Sequence, residues 1–198
     1  MKKKLILEAL GTFTLVLVVQ LSLLGNIPFI ITPLLAALTL TLFVYTIGST
    51  SGCHINPAIT LGLWSVQKIK SHEAVQYIIA QFLGAGIAAV FLSAVQDSAL
   101  AFEIIPNSWL VFLAEAIGAL FFAFGVAAVA HGKAASDMSG AVVGGSLLLG
   151  IAIAAGLGSS GILNPAVALS LGQLNVGYIL GSMVGAVLGM NLYKRLVS

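Results

Sequence analysis

The chain has 198 residues, of which 60% are hydrophobic and only 7% are charged, and its formal net charge is +2. A soluble domain carries about 25% charged residues, so this composition excludes a water-exposed globular protein and indicates an integral membrane protein. The eight Lys and Arg residues are spread over four places in the sequence, whereas a surface that binds nucleic acid has one basic cluster. We therefore expect no nucleic-acid partner.

Six long apolar segments follow one another along the chain, and most approach the ~20 residues that a helix needs to cross a bilayer. They are continuous apolar runs, unlike the alternating strands of a membrane β-barrel. The first is longer than the ~7–15 apolar residues of a signal peptide and no cleavage site follows it, so we expect it to be retained. In chain order the six segments comprise residues 5–24, 33–48, 74–95, 109–130, 140–157 and 176–192.

The basic residues predict the orientation of these spans. With the N-terminus in the cytoplasm, all eight lie in the N-terminal tail, near residues 66–73, near residues 131–139 or in the C-terminal tail. The external connections contain none, while Asp97 and Glu103 lie in the middle one. This distribution follows the positive-inside rule and predicts that both termini are cytoplasmic. The short connections are typical of a prokaryotic inner-membrane protein.

The tripeptide Asn-Pro-Ala occurs twice, as Asn56-Pro57-Ala58 and as Asn164-Pro165-Ala166. A lone glutamate in an apolar segment precedes each copy: Glu8 lies 48 residues before the first asparagine, and Glu115 lies 49 residues before the second. Asn is a favoured helix N-cap and Pro is favoured at the first helical position. Each motif therefore predicts the start of a short helix, over residues 57–67 and 165–173.

These two helices are too short to cross a bilayer, and the charges place their connections on opposite faces of the membrane. Two half-helices that enter from opposite faces would meet near its centre. The matching motifs predict one domain over residues 1–198, built from two inverted repeats at about 1–100 and 108–198. Gly181, Gly185 and Gly189 recur at four-residue spacing, and we expect them to allow close helix packing within one protomer.

With these motifs in hand, the sequence resembles the aquaporin, or major intrinsic protein, family. The resemblance covers essentially the whole chain in family order. It implies an all-α membrane protein with six transmembrane helices, two re-entrant half-helices and assembly into a homotetramer. The segments that carry it are Glu8-Ala9-Leu10-Gly11-Thr12-Phe13, Ser51-Gly52-Cys53-His54-Ile55-Asn56-Pro57-Ala58-Ile59-Thr60, Ile79-Ala80-Gln81, His131-Gly132 and Asn164-Pro165-Ala166.

The motif residues have physical roles in such a pore. Asn56 and Asn164 would cap their helices through the side-chain oxygen and leave their NH2 groups as donors into the lumen. Glu8 and Glu115 are costly inside a membrane, so they either anchor the half-helix loops, as the resemblance implies, or relay protons. His54 would hold its loop or line the conduit. The three histidines lack metal-ligand spacing, so we expect neither a metal site nor a cofactor.

The resemblance also implies a selectivity filter, and here the sequence departs from the family. An arginine usually follows the second motif asparagine by three residues, but this chain has Val167. The other three wall positions fall near Ala36, near Ala152 and at Gly161. All four are small or apolar, so we expect a wide filter that admits water, small uncharged solutes such as glycerol, urea or ammonia, or both.

The sequence favours a passive channel over two alternatives. A secondary transporter also uses inverted repeats and broken helices, but no intramembrane Asp, Lys or Arg is available for ion coupling. A non-conducting membrane scaffold would tolerate changes at both motif asparagines. An enzyme is disfavoured because the sequence has no nucleophile–base pair, metal cluster or phosphate-binding loop.

Overall fold

The structure is a computed structural model that describes residues 1–25, 28, 30–97, 107–173 and 175–197. Glu103, expected in an external connection, lies outside these residues. The described residues also include a 3-10 turn at Ser136–Met138 and a π-helical turn at Gly177–Gly181. The α-helices are α1 (Lys2–Leu24), α2 (Ile31–Ser51), α3 (Pro57–Ser65), α4 (Ser71–Val95), α5 (Trp109–Ala130), α6 (Ser139–Gly156), α7 (Pro165–Ser170) and α8 (Ser182–Val197).

The long helices confirm the predicted all-α membrane fold. Five of the described helices are long and apolar enough to cross a bilayer: α1, α2, α4, α5 and α6 together with the short turn before it. The sixth predicted segment forms the π-helical turn Gly177–Gly181, which continues directly into α8. The continuous apolar pattern of this segment predicts a regular helix and does not indicate the π-helical turn.

The two short helices begin at the prolines that the sequence predicts, but they end earlier than predicted. α3 ends at Ser65 and α7 at Ser170, two and three residues before the expected ends. Gln67 and Gly172, which follow them, have φ angles of +66° and +70°. A residue in this left-handed region cannot continue a right-handed helix and is a common helix terminator.

The packing of the helices interlocks the two halves of the chain. α1 packs on α2 and α4, and α5 packs on α6 and α8. Each half-helix packs on a long helix of the other half: α3 lies against α8, and α7 lies against α4. Both half-helices are therefore held inside the bundle, where their N-termini meet.

Glycines allow the closest helix contacts. Gly84 of α4 lies against the carbonyl oxygen of Ala9 in α1, and Gly185 of α8 lies against that of Ala116 in α5. A Cβ atom at either glycine would collide with this backbone oxygen. Gly181 and Gly189 also face backbone oxygens of α5, which confirms that these small residues pack within the protomer.

Candidate functional site: a central pore

The N-termini of α3 and α7 are capped by the motif asparagines. Oδ1 of Asn56 accepts a hydrogen bond from the backbone N–H of Ala58 at 2.8 Å. Oδ1 of Asn164 accepts one from the backbone N–H of Ala166 at 3.0 Å. Each asparagine has an extended backbone, and the proline that follows it takes the first helical position.

The asparagine amides also tie the two half-helices to each other. Nδ2 of Asn56 donates to the carbonyl oxygen of Leu163 at 2.9 Å. Nδ2 of Asn164 donates to that of Ile55 at 3.1 Å. An amide NH2 group has two hydrogens. One hydrogen of each asparagine is therefore used within the protein, and one is left for a molecule in the pore.

Ile55 and Leu163 connect these asparagines to the buried glutamates. Their φ angles are +38° and +52°, in a region that non-glycine residues rarely occupy. This conformation directs each carbonyl oxygen to the asparagine of the other half, and each N–H to the glutamate of its own half. Such a backbone costs about 1–3 kcal/mol per residue and persists only where its surroundings enforce it.

Glu8 is fully buried and holds the loop before α3. Its carboxylate accepts hydrogen bonds from the backbone N–H groups of His54 at 3.0 Å and Ile55 at 2.7 Å. The side chains of Ser51 and Gln81 donate to it at 2.8 Å and 2.9 Å. These four donors support an anchoring role for Glu8 over proton relay.

Glu115 holds the loop before α7 in the same way. It accepts hydrogen bonds from Ser159 Oγ at 2.5 Å and from the backbone N–H groups of Ile162 at 3.0 Å and Leu163 at 2.7 Å. Ser51 and Ser159 are functional residues that were not predicted from the sequence. Their positions carried a signal, because each serine lies five residues before a motif asparagine.

His54 is fixed by a hydrogen-bond network that determines which ring nitrogen serves the pore. Its Nδ1 lies 3.1 Å from the hydroxyl oxygen of Thr60. That hydroxyl donates to the carbonyl oxygen of Asn56 and accepts from Gln81 Nε2. Nδ1 is therefore engaged with Thr60, and Nε2 is the ring nitrogen left for a molecule in the pore.

A cavity of about 590 Å³ opens on the α7 side of the two asparagines, and we call it the α7-side cavity. Asn56, Asn164 and three of the predicted filter residues, Ala36, Gly161 and Val167, line it. Among the described residues, none that lines this cavity is charged. It therefore offers uncharged walls and the amide donors of the motif.

The fourth predicted filter residue, Ala152, does not line the cavity. Ala152 is exposed on the outer surface of α6, whereas its neighbour Ile151 is buried and lines the α7-side cavity. Successive residues of an α-helix are about 100° apart, so a shift of one position turns a side chain from the pore towards lipid. The prediction of Ala152 was wrong by one residue, and the corrected wall position is still apolar.

Two further polar groups lie in the α7-side cavity and were missed from the sequence. The hydroxyl groups of Ser160 and Tyr178 are hydrogen-bonded at 3.1 Å. Tyr178 lies in the π-helical turn. In the first half, Tyr77 holds the matching position, since Tyr77-Ile78-Ile79 resembles Tyr178-Ile179-Leu180. Tyr77 instead donates to the carbonyl oxygen of Ser51 at 2.7 Å. The two halves therefore differ at this point, and the α7-side cavity gains a pair of hydroxyl groups.

Comparisons with known proteins agree with this architecture. Residues 1–193 match the family model described as Major intrinsic protein. Aquaporin AqpM of Methanothermobacter marburgensis is 34% identical over 78% of this chain and 72% of its own length. Nodulin-26 of Glycine max is 31% identical over 97% of this chain and 77% of its own length.

A solved structure shares the fold. The aquaglyceroporin from Plasmodium falciparum superposes with a TM-score of 0.79, covering 98% of this chain and 96% of its own. Its sequence identity to this chain is 22%.

Proposed function

The chain belongs to the major intrinsic protein family, and we propose that it is a passive transmembrane channel for water and small uncharged solutes. One observation carries this proposal: two capped helix N-termini meet at a point where each asparagine retains one amide hydrogen. A passing molecule with an acceptor atom can bind both donors. The cavity that leads to this point has no charged lining residue among those described.

The electrostatics of this point favour uncharged molecules. Each helix N-terminus carries a partial positive charge of roughly half a unit. The two termini face each other, and the nearest buried carboxylates are occupied by loop hydrogen bonds. A cation would meet the positive ends of two helices without a compensating anion, so we expect ions to be excluded.

We further propose that the protein lies in the cell inner membrane as a homotetramer with both termini cytoplasmic. In this orientation the α7-side cavity opens to the outside. The distribution of Lys and Arg supports the orientation. Family membership supports the tetramer and the view of residues 1–198 as one channel domain with two inverted repeats.

Replacing Val167 by Arg tests the proposed filter. Val167 is 5% exposed and lines the α7-side cavity, so an arginine there would add a fixed cation and five N–H donors to an uncharged wall. We expect urea entry to fall by about tenfold, which corresponds to a barrier higher by about 1.4 kcal/mol, while water permeability is retained. Stopped-flow light scattering on proteoliposomes measures both.

Val167→Met is the matched control, because methionine is also long and unbranched but carries no charge. A loss of urea entry in Val167→Arg alone would assign the effect to the charge and its donors. Equal urea entry in wild type and Val167→Arg would show that this position does not select solutes. Urea entry that saturates at low concentration or requires an ion gradient would indicate a transporter.

A further inference from the structure

The pore has a second cavity, which meets the first at three shared residues. This α3-side cavity has a volume of about 630 Å³ and contains Lys68 in its wall. Leu40, His54 and Phe122 line both cavities. We call these three residues the neck, because the two separate cavities approach each other there.

Close glycine contacts pack α6 against α2 and α5, the helices that carry Leu40 and Phe122. Gly144 of α6 lies against the carbonyl oxygen of Ala37 in α2, where an added Cβ atom would come within 2.6 Å of it. Gly150 of α6 lies against α5, where an added Cβ atom would be 2.5 Å from the oxygen of Gly118 and 3.2 Å from Cβ of Phe122. Leu40 and Phe122 therefore project from helices whose backbones lie close to α6.

The neck side chains are largely apolar. Leu40 and Phe122 are each 2% exposed, and both are held in the hydrophobic core. Nε2 of His54 is the one polar atom that these three side chains can offer to the pore once Nδ1 is bonded to Thr60. A molecule in the neck must give up most of its hydrogen bonds to water, which is costly for each polar group without a new partner.

A solute that crosses the pore meets two different surfaces, the α7-side cavity and the neck. The α7-side cavity is wide and has small or apolar walls at the filter positions. The neck is lined by the phenyl ring of Phe122, the isobutyl group of Leu40 and the imidazole ring of His54. Glycerol has three hydroxyl groups on three carbons and would have to satisfy them all in the neck, whereas water or planar urea presents a smaller cross-section.

We propose that the neck, and not the opening on the α7 side, determines which solutes pass. This inference rests on the proposed channel function and narrows it: the protein conducts water and small solutes such as urea but excludes polyols such as glycerol. Phe122 is the principal specificity-determining residue, and Leu40 acts with it.

Replacing Phe122 by Ala tests this assignment. We expect glycerol entry into proteoliposomes, measured by stopped-flow light scattering, to rise from near the value for empty liposomes by about tenfold or more, since tenfold requires a barrier lower by only about 1.4 kcal/mol. Leu147→Ala is the matched control, because it removes a large side chain from the α7-side cavity outside the neck and outside the filter positions. We expect Leu147→Ala to leave glycerol entry low.

Two smaller changes keep the test decisive if Phe122→Ala does not fold. Phe122→Leu and Leu40→Ala each remove part of the neck, and each should raise glycerol entry while the protein remains monodisperse by size-exclusion chromatography. Rapid glycerol entry through the wild type, or equal glycerol entry in wild type and in the folded neck variants, would overturn the assignment. Water permeability no higher than in empty liposomes would instead refute the channel function itself.

Discussion

Replacing Glu8 by Ala is expected to abolish the folded channel. The change removes the acceptor for the backbone N–H groups of His54 and Ile55 and for the side chains of Ser51 and Gln81. Each buried donor left without an acceptor costs about 1–3 kcal/mol. Loss of the whole set is therefore expected to destabilise the protein by more than about 4 kcal/mol.

Size-exclusion chromatography and thermal unfolding of the detergent-solubilised protein measure this effect. Glu73→Ala is the matched control. Glu73 of α4 forms an ion pair with Lys4 of α1 at 3.9 Å, and both side chains are partly exposed. Such a pair contributes about 0–1 kcal/mol. A Glu8→Ala protein as stable as Glu73→Ala would refute the anchoring role of Glu8.

Replacing Gly84 by Ala is expected to destabilise the protein by about 1–3 kcal/mol, because the added methyl group would collide with the carbonyl oxygen of Ala9 and force α1 and α4 apart. Gly86 lies in the same helix, and a Cβ atom there would meet nothing within 4 Å. Gly86→Ala should be neutral or slightly stabilising, since Ala has the higher helix propensity. Thermal unfolding in detergent compares the two variants.

The second half of the chain provides an independent repetition of this experiment. Gly185→Ala makes the equivalent collision with the carbonyl oxygen of Ala116, between α8 and α5. We expect it to lower stability as Gly84→Ala does, and the double variant to show the sum of both losses, because distant sites add. Equal stability of Gly84→Ala and Gly86→Ala would contradict the account of helix packing.

Features that repeat in the two halves could be predicted from the sequence. The asparagine caps, the prolines at the first helical position and the glycine contacts follow from short motifs with a local physical reason. Pairing of the glutamates with the motif loops followed from their matching distances along the chain. The π-helical turn at Gly177–Gly181 could not be predicted, because Tyr178 in this turn matches Tyr77, which lies in the regular α-helix α4.

The pore lining could be predicted only in part. In a membrane protein the lipid-facing and pore-facing sides of a helix are both apolar. The hydrophobic pattern therefore does not show which side of the helix faces the pore. For this reason the sequence predicts Ala152 as a filter residue, whereas Ile151 lines the cavity. It also explains why Leu40 and Phe122 were not singled out: Phe122 is one of ten phenylalanines, and only the structure places it between the cavities.

Water permeability of proteoliposomes containing the wild-type protein shows directly whether the protein is a passive channel. Vesicle shrinkage after an osmotic step would be followed by stopped-flow light scattering, with and without ionophores that dissipate Na⁺ and H⁺ gradients. A passive channel should give water efflux well above that of empty liposomes, proportional to the osmotic gradient and unaffected by the ionophores. Efflux equal to that of empty liposomes, or efflux that requires an ion gradient, would contradict a passive channel.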